Sequence, residues 1–426
     1  MSEKPTASET AEAPAEPKRN FLQRIFVRSG KFSSLLLPIL AVFSALVIGA
    51  IIIAVSTPDV LSAWKGFFQD PLGALSITLI TVRDAYAALL EGSFGQPTRI
   101  VKAFGTWRAT GETRPLLDAF RPLGESLVLT TPYIFAGLAV SLGFRGGLFN
   151  IGVEGQLFVA GLASSLVGYS LTNLPWYVHL PLALLAGIAA GAIWGAIPGL
   201  LKAFTGAHEV INTIMMNYVA FRLTDYLLNG PMSRPDGMPM TPLIRPSAYL
   251  PTLFPAPMRV HFGFFLSLVM AGLVYWFLWK TTLGMEIRMV GANPKAARYS
   301  GVRVNWITVL TLALSGALGG LAGASQILGV DHQMVRTFSP GYGFDSIALA
   351  LLGNSHPVGV VLASLLFGFM RAGAARMQSL ANVPVEIIRI LQAIVIIFVA
   401  APEIMRGIYR LKAIRKGEEA IKRGWG

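Results

Sequence analysis

The chain has 426 residues, of which 54% are hydrophobic and only 13% are charged. Soluble domains carry about twice that charged fraction, so the composition excludes a soluble protein and predicts an integral membrane protein. Cysteine is absent, which excludes a disulfide framework and a thiolate metal site.

The net charge of +13 is concentrated at the two ends of the chain. One basic group precedes the first apolar stretch and another follows the last: Lys18, Arg19, Arg24, Arg28 and Lys31, then Arg406, Arg410, Lys412, Arg415, Lys416, Lys422 and Arg423. The positive-inside rule places both termini in the cytoplasm, which requires an even number of spans. This distribution favours contact with membrane lipid and argues against a nucleic-acid partner.

In chain order, residues 1–33 form a disordered segment that ends in basic residues, residues 34–401 form the membrane domain, and residues 402–426 form a basic cytoplasmic tail. Ten apolar stretches predict an all-α polytopic fold. They cover about 34–55, 124–143, 155–171, 180–201, 209–228, 261–279, 305–328, 343–354, 357–374 and 385–401. The eighth is too short to cross a full bilayer as a helix, so it is either a short span or a re-entrant segment.

The connecting regions follow from this orientation. Residues 56–123 are predicted to form an external loop of amphipathic pieces, and residues 280–304 to form an internal loop, because basic residues there outnumber the single acid Glu286. Two glycine series predict helices whose backbones pack closely in lipid. They lie at positions 187, 191, 195 and 199 and at positions 316, 319, 320 and 323.

One segment is polar and rich in glycine between two apolar stretches. It reads GLFNIGVEGQ over Gly147–Gln156, and its glycines disfavour a regular helix. Polar groups and broken backbone persist at membrane depth only where protein or water surrounds them. Asn150, Glu154 and Gln156 are therefore candidates for lining a solute pathway. The alternatives are structural support of the break and ion coupling by Glu154.

Two further segments supply candidate pathway residues. The fifth stretch has one polar helical face, on which Asn212 and Asn217 either contact a solute or hydrogen-bond to a neighbouring helix. The segment Gly341–Asp345 is faintly similar to the first glycine-rich segment, and such repeats in two halves of a chain point to a transport site. Phe344 and Asp345 are candidates on that basis, and an aromatic ring such as Phe344 could stack on a nucleobase.

Motifs for intrinsic chemistry are missing. The sequence has no GxxxxGK[ST] phosphate loop, no HExxH zinc motif and no hydrolase elbow, and its five histidines are scattered. The chain is therefore predicted not to be an enzyme and to have no catalytic residue, no metal site and no cofactor of its own.

The internal loop 280–304 is more patterned than a linker requires. Asn293 is predicted to cap a short helix that begins at Pro294. A solvated surface helix would explain this pattern, but docking to a partner protein explains it better.

Four motifs in this order resemble the permease subunits of bacterial ABC importers for nucleosides and simple sugars, most closely the nucleoside branch that works with a substrate-binding lipoprotein. They are GLFNIGVEGQ at 147–156, HEVINTIMMNYVA at 208–220, GANPKAARYSG at 291–301 and GYGFDSIALALLGNSHPVG at 341–359. The resemblance covers residues 124–401 and implies a fold like that of the type II importers, with about ten helices per subunit.

The resemblance also implies partners at the bacterial inner membrane. These are a second permease subunit that a paralogue would supply, two cytoplasmic ATPase domains that carry ATP and magnesium, and an external lipoprotein that delivers the solute. In that family the stretch like 291–301 is a coupling helix that docks into the ATPase. The matching residues here are Gly291, Asn293, Ala296, Ala297, Ser300 and Gly301.

The residues alone leave two other functions open. One is a carrier driven by an ion gradient through Glu154, Glu209 or Asp345, and the other is a non-transporting membrane scaffold. The sequence does not identify the nucleoside or sugar, and it does not decide between a homodimer and a heterodimer.

Overall fold

A computed structural model describes residues 33–381, 383, 384, 386–400, 404, 408 and 409. The predicted N-terminal disordered segment and both terminal basic clusters lie outside these residues. The described chain is almost entirely helical, and its only β-pairings are two isolated bridges, Met240 with Val335 and Thr252 with His261. The predicted all-α membrane fold is confirmed.

The helices fall into three groups along the chain. Those before the glycine-rich segment are α1 (Ser33–Ser56), α2 (Pro58–Lys65), α3 (Pro71–Phe94), α4 (Pro97–Thr110) and α5 (Arg114–Arg145). Those that follow it are α6 (Val153–Ser170), α7 (Trp176–Thr205) and α8 (Glu209–Asn229). The rest are α9 (Gly263–Lys280), α10 (Thr282–Ala292), α11 (Pro294–Tyr299), α12 (Val304–Gln326), α13 (Tyr342–Leu352), α14 (Pro357–Ala381) and α15 (Glu386–Ala400).

Every predicted apolar stretch coincides with one of these helices. Among the described residues, seven segments are long and apolar enough to cross a membrane: Ile39–Ser56, Pro71–Thr110, Arg114–Arg145, Trp176–Thr205, Gly263–Lys280, Val304–Asp331 and Pro357–Ala381. The other predicted stretches correspond to α6, α8, α13 and α15, which are shorter or more polar. The count of ten spans therefore stays a prediction.

The region 56–123 differs from the loop that the sequence predicts, because most of it is helical. Its helix α3 has 24 residues. Arg83 and Asp84 interrupt its apolar pattern, and they pair with each other at 2.8 Å. The external position of this region stays a prediction.

Helices α5 and α12 form the centre of the molecule. In the most apolar 18-residue part of α5, 83% of the residues are buried inside the protein. The corresponding shares are 78% for α12 and 28% for α7. Most polar backbone and side-chain groups near these two central helices must therefore find their partners inside the protein, away from lipid and water.

Close helix packing, predicted from the glycine series, is confirmed where α7 meets α12. A methyl group added at Gly191 would collide with the carbonyl oxygen of Gly316 and would lie 2.8 Å from Cα of Gly320. A methyl group added at Gly195 would lie 3.0 Å from Cα of Gly316. The two backbones are thus in contact, as small residues permit in membrane proteins.

Candidate functional site

The glycine-rich segment begins with a tight turn at the end of α5. Gly147 has a φ of +71°, a left-handed conformation that favours glycine. The chain then reverses direction, since the N–H of Leu148 donates to the carbonyl of Gly143 at 2.9 Å. Helix α6 starts at Val153, so the predicted helix break is present over residues 146–152. Residues 153–156 of the glycine-rich segment are instead helical.

Asn150 is fully buried in the middle of this break. Its Nδ2 donates to Ser315 Oγ at 2.8 Å and to Gln156 Oε1 at 3.2 Å. Its Oδ1 accepts a hydrogen bond from the N–H of Gly152 at 2.8 Å. Ser315 lies half-way along α12 and donates to the carbonyl of Ala139 in α5 at 2.6 Å. Asn150 thus connects the break directly to the middle of α12 and, through Ser315, to α5.

Helix α8 satisfies backbone groups that the break leaves unpaired. Oδ1 of Asn217 accepts from the N–H of Gly155 at 2.8 Å, and its Nδ2 donates to the carbonyl of Ile151 at 2.9 Å. Thr213 Oγ1 accepts from the N–H of Ile151 at 3.3 Å. The polar face of α8 that the sequence predicts therefore points into the helix bundle.

The two glycine-rich segments meet inside the molecule. Glu154 lies in the first turn of α6, and its Oε2 accepts from the N–H of Gly343 at 2.6 Å. Gly343 lies in the first turn of α13, and a methyl group there would lie 2.6 Å from Cα of Glu154. The carboxyl group of Glu154 thus contacts the N-terminal end of α13, where an acidic group is favourable.

Asp345 forms a half-buried ion pair with Arg371, and their side chains are 33% and 21% exposed. Tyr133 donates its hydroxyl hydrogen to Asp345 Oδ2 at 2.7 Å. Arg371 Nη1 donates to the Tyr133 hydroxyl oxygen at 2.7 Å and to Asp345 Oδ2 at 3.3 Å. Arg371 Nη2 donates to the carbonyl of Pro340 at 3.4 Å. Sequence reasoning missed Tyr133 and Arg371; the available signal was an arginine inside an apolar stretch.

The predicted pathway residues fall into two groups. Four are buried, and the protein itself supplies partners for their polar atoms: Asn150, Glu154, Gln156 and Asn217. Asn212 is half-buried, and its Nδ2 has no hydrogen-bond partner among the described residues. Phe344 is 45% exposed, and Asp345 is half-buried in its ion pair with Arg371. The first group makes the contacts of structural support, whereas contact with a solute stays a prediction for every residue of the set.

A groove of about 510 Å³ lies between α5, α7, α9 and α12. Only apolar side chains line it, among them Leu184, Met270 and Phe277. A polar solute would lose its hydrogen bonds to water there without replacement. The groove therefore does not suit the passage of a polar solute.

The internal loop folds as the sequence predicts. Oδ1 of Asn293 accepts from the N–H groups of Lys295 and Ala296 at 3.0 and 3.1 Å, which caps α11. Ala297 points inward and is only 1% exposed. The remaining predicted coupling residues after Gly291 are exposed: Asn293, Ala296, Ser300 and Gly301. The surface available for docking is therefore the outer face of α11 and the turn that follows it.

Gly291, at the end of α10, contacts the turn that opens the break. A methyl group added at Gly291 would collide with the carbonyl oxygen of Arg145 and would lie 2.8 Å from the backbone nitrogen of Gly147. A methyl group added at Gly147 would lie 2.9 Å from Cα of Gly291. The two glycines therefore let the internal loop rest directly on the helix break.

Comparison with known protein families identifies the family to which the chain belongs. A family model described as a branched-chain amino acid transport system permease component matches residues 123–400. The chain belongs to this permease family. The relatives of this permease confirm the resemblance to nucleoside and sugar importers that the four motifs indicate.

Three relatives cover most of the permease. The guanosine ABC transporter permease protein NupP of Bacillus subtilis is 38% identical over 88% of this chain and 96% of its own. The glucose ABC transporter permease protein TsgB13 of Haloferax volcanii is 36% identical over 70% and 81%. The nucleoside ABC transporter permease protein NupB of Lactococcus lactis is 31% identical over 72% and 87%. No solved structure matches.

Each of the three organisms contributes a second permease that also matches. NupQ of Bacillus subtilis is 28% identical, TsgC13 of Haloferax volcanii is 29% identical and NupC of Lactococcus lactis is 29% identical. The relatives therefore occur as pairs of related permeases. In each pair, this chain has the higher identity to one member: to NupP over NupQ, to TsgB13 over TsgC13 and to NupB over NupC.

Proposed function

We propose that this permease is one of two different membrane subunits of an ATP-driven importer for a nucleoside. Its identity to the two members of each related pair is unequal, at 38% against 28%, 36% against 29% and 31% against 29%. This asymmetry supports a heterodimer in which the present chain supplies one half of the pathway and a paralogue supplies the other.

The energy would come from separate subunits. The chain has no phosphate loop, so two cytoplasmic ATPase domains would bind the ATP and magnesium and would dock on the exposed face of α11. The basic residues of 280–304 and of both termini support a cytoplasmic position for all three segments. An external lipoprotein would deliver the solute at the opposite face of the bacterial inner membrane.

The contact between Gly291 and Gly147 carries this proposal. It joins the docking loop to the buried break without an intervening side chain, so a displacement of the loop has to move the turn that precedes Asn150. Such a link serves a transporter that partner subunits drive. A carrier driven by an ion gradient has less support, because the carboxylates that would bind the ion already have partners. Asp345 accepts from Arg371, and Glu154 accepts from the N–H of Gly343.

The nucleoside assignment rests on the relatives and on one exposed ring. Two of the three most extensive matches are described as guanosine or nucleoside permeases. Phe344 lies in the first turn of α13 beside the Asp345 ion pair, and its exposed face could stack on a nucleobase. We therefore propose that the solute passes the N-terminal end of α13.

Uptake by the complete transporter tests this function. The permease, its paralogue, the ATPase and the binding lipoprotein would be reconstituted into vesicles and supplied with radiolabelled guanosine. We expect uptake that requires ATP, is insensitive to ionophores and is inhibited by excess adenosine or cytidine but not by glucose. Uptake of radiolabelled glucose but not of guanosine would assign a sugar instead, and uptake that an ionophore abolishes would contradict an ATP-driven pump.

A further inference from the structure

Two arginines converge on one tryptophan where α5, α9 and α10 come together. The guanidinium carbon of Arg145 lies 5.2 Å from the ring centre of Trp279, and that of Arg288 lies 5.9 Å from the same ring. The Tyr275 ring stacks on Trp279 at 5.2 Å, and the His356 ring lies 5.3 Å away. These five residues, the arginine–aromatic cluster, have no part in the proposed transport mechanism.

Among the described residues, no carboxylate forms an ion pair with the arginines of this cluster. Nε and Nη2 of Arg145 donate to neutral groups, the carbonyls of Ser355 at 2.9 Å and Asn354 at 3.2 Å. Nε of Arg288 is buried and has no hydrogen-bond acceptor in the described part of the chain. All ion pairs between described residues involve other basic side chains. A buried donor without an acceptor destabilises the protein unless a ligand supplies one.

His356 adds no charge of its own at neutral pH. Burial and the positive charge of Arg145 lower the pKa of His356. The neutral imidazole therefore leaves the cluster with the two guanidinium charges, which repel each other and attract an anion.

The surroundings of the cluster are those of a lipid-facing surface. Trp276 is 56% exposed on α9, Met285 is 52% exposed on α10 and Val358 is 59% exposed on α14. Tryptophan and tyrosine at the end of a membrane helix mark the level of the lipid headgroups. Helix α9 ends at Lys280, where the basic internal loop begins, so this level belongs to the leaflet that the charge rule assigns to the cytoplasm.

We propose that the arginine–aromatic cluster binds the phosphate of an anionic phospholipid in the cytoplasmic leaflet. Guanidinium groups pair with phosphate oxygens through several parallel hydrogen bonds, and the free Nε–H of Arg288 supplies one of them. Basic pockets between membrane helices on the cytoplasmic side suit such headgroups. Trp276 and Val358 would contact the acyl chains of the same lipid.

The position favours a lipid over an acidic surface of the ATPase. Two of the exposed residues beside the cluster, Trp276 on α9 and Val358 on α14, belong to helices that are long and apolar enough to cross the membrane. A ligand that approaches Arg288 between these two helices comes from the bilayer.

Lipid binding to the purified transporter tests the proposal. The complete complex would be delipidated in detergent and titrated with phosphatidylglycerol or phosphatidylcholine, and the bound lipids would be counted by native mass spectrometry. The variant Arg288→Gln removes one guanidinium, and Arg303→Gln, an exposed arginine in the same loop, is the control with an equal loss of charge. We expect the wild type to prefer phosphatidylglycerol, Arg288→Gln to bind it about fivefold more weakly, and Arg303→Gln to bind it as the wild type does.

Three results would overturn the proposal: equal binding of the two lipids by the wild type, equal losses in the two variants, or displacement of phosphatidylglycerol by an equal concentration of inorganic phosphate. A measurement on the folded wild type guards against a variant that does not fold. The fluorescence of Trp279 is the difference between the signals of the wild type and the Trp279→Phe variant. Phosphatidylglycerol with brominated acyl chains should quench this fluorescence, and brominated phosphatidylcholine should quench it less. Equal quenching by both lipids would also contradict the proposal.

Discussion

The amide of Asn150 connects the helix break of this permease to its neighbours. It contacts α12 through Ser315, the start of α6 through Gln156, and the backbone of the break itself at Gly152. In a second polar group, Asp345 and Arg371 neutralise each other beside Tyr133. Polar groups at membrane depth are thus retained here by mutual pairing, which is the condition for their survival in lipid.

Replacement of Asn150 by alanine should destabilise the permease. The change leaves the N–H of Gly152 without its buried acceptor and removes the donor to Ser315, at a cost of about 1–3 kcal/mol. We expect a lower melting temperature in detergent and a reduced maximal rate of uptake with little change in KM. Asn305→Ala, at an exposed position of α12, is the control; an altered KM with an unchanged melting temperature would instead show that Asn150 contacts the solute.

The ion pair between Asp345 and Arg371 predicts that substitutions of these two residues have non-additive effects on stability. Arg371→Met leaves the half-buried Asp345 carboxyl group beside Tyr133 without its cation and should destabilise the protein by about 1–3 kcal/mol. The double variant that adds Asp345→Asn should recover part of this loss, because no unpaired charge is left. Melting temperatures of the two single variants and the double variant measure the coupling, and simple additivity of the two losses would rule out the pair.

At this scale the sequence predicted which residues are unusual but not what they contact. Asn150 and Glu154 are recognisable because polar residues are rare between apolar stretches, and Asp345 is recognisable because its segment is faintly similar to the first glycine-rich segment. Their partners Ser315 and Arg371 are distant in sequence, and nothing in the local pattern connects them. For this reason structural support and pathway lining could not be separated before the contacts were known.

At the scale of elements, a loop and a helix break form one mechanical unit. The cap at Asn293 fixes the start of α11, while Gly291 at the other side of this cap lies against Gly147. The outer face of α11 is free for a partner, and its inner face is fixed by the buried Ala297. Force applied to α11 can therefore reach the break through α10.

A bulky residue on the outer face of α11 should uncouple transport from ATP hydrolysis. Ala296→Trp places an indole on the exposed docking surface without disturbing the inner face, so we expect normal folding and weak or unproductive contact with the ATPase. Uptake should fall at least tenfold, which corresponds to about 1.4 kcal/mol, while ATP hydrolysis by the complex continues or the ATPase dissociates. Thr205→Trp, exposed at the end of α7, is the control, and coupled uptake in Ala296→Trp would exclude this face as the docking site.

Most elements were predictable because apolar length is a strong signal. The exceptions have local causes: Arg83 and Asp84 mask the apolar length of α3, and the similarity of the two glycine-rich segments is too faint to predict that Glu154 meets Gly343. The cap of α11 at Asn293 was predictable because it depends on adjacent residues only. Contacts between distant segments, such as Gly291 with Gly147, were not.

At the scale of the whole molecule, the paired relatives support the proposal that this chain works with a second, different permease. Coexpression with its paralogue and the ATPase should give a complex with one copy of each permease. Native mass spectrometry of the purified complex measures this composition. A stable and transport-competent complex with two copies of the present chain would contradict the heterodimer.

The most direct test of the account replaces Gly291 by alanine in the reconstituted transporter. The added methyl group would collide with the backbone at Arg145 and Gly147 and should separate the docking loop from the break. Gly272→Ala is the matched control, since a methyl group there meets nothing within 4 Å. We predict that Gly291→Ala retains ATP hydrolysis but loses ATP-dependent guanosine uptake, while Gly272→Ala transports normally. Normal uptake by Gly291→Ala, with assembly and hydrolysis intact, would contradict the proposed link between ATPase docking and the transport pathway.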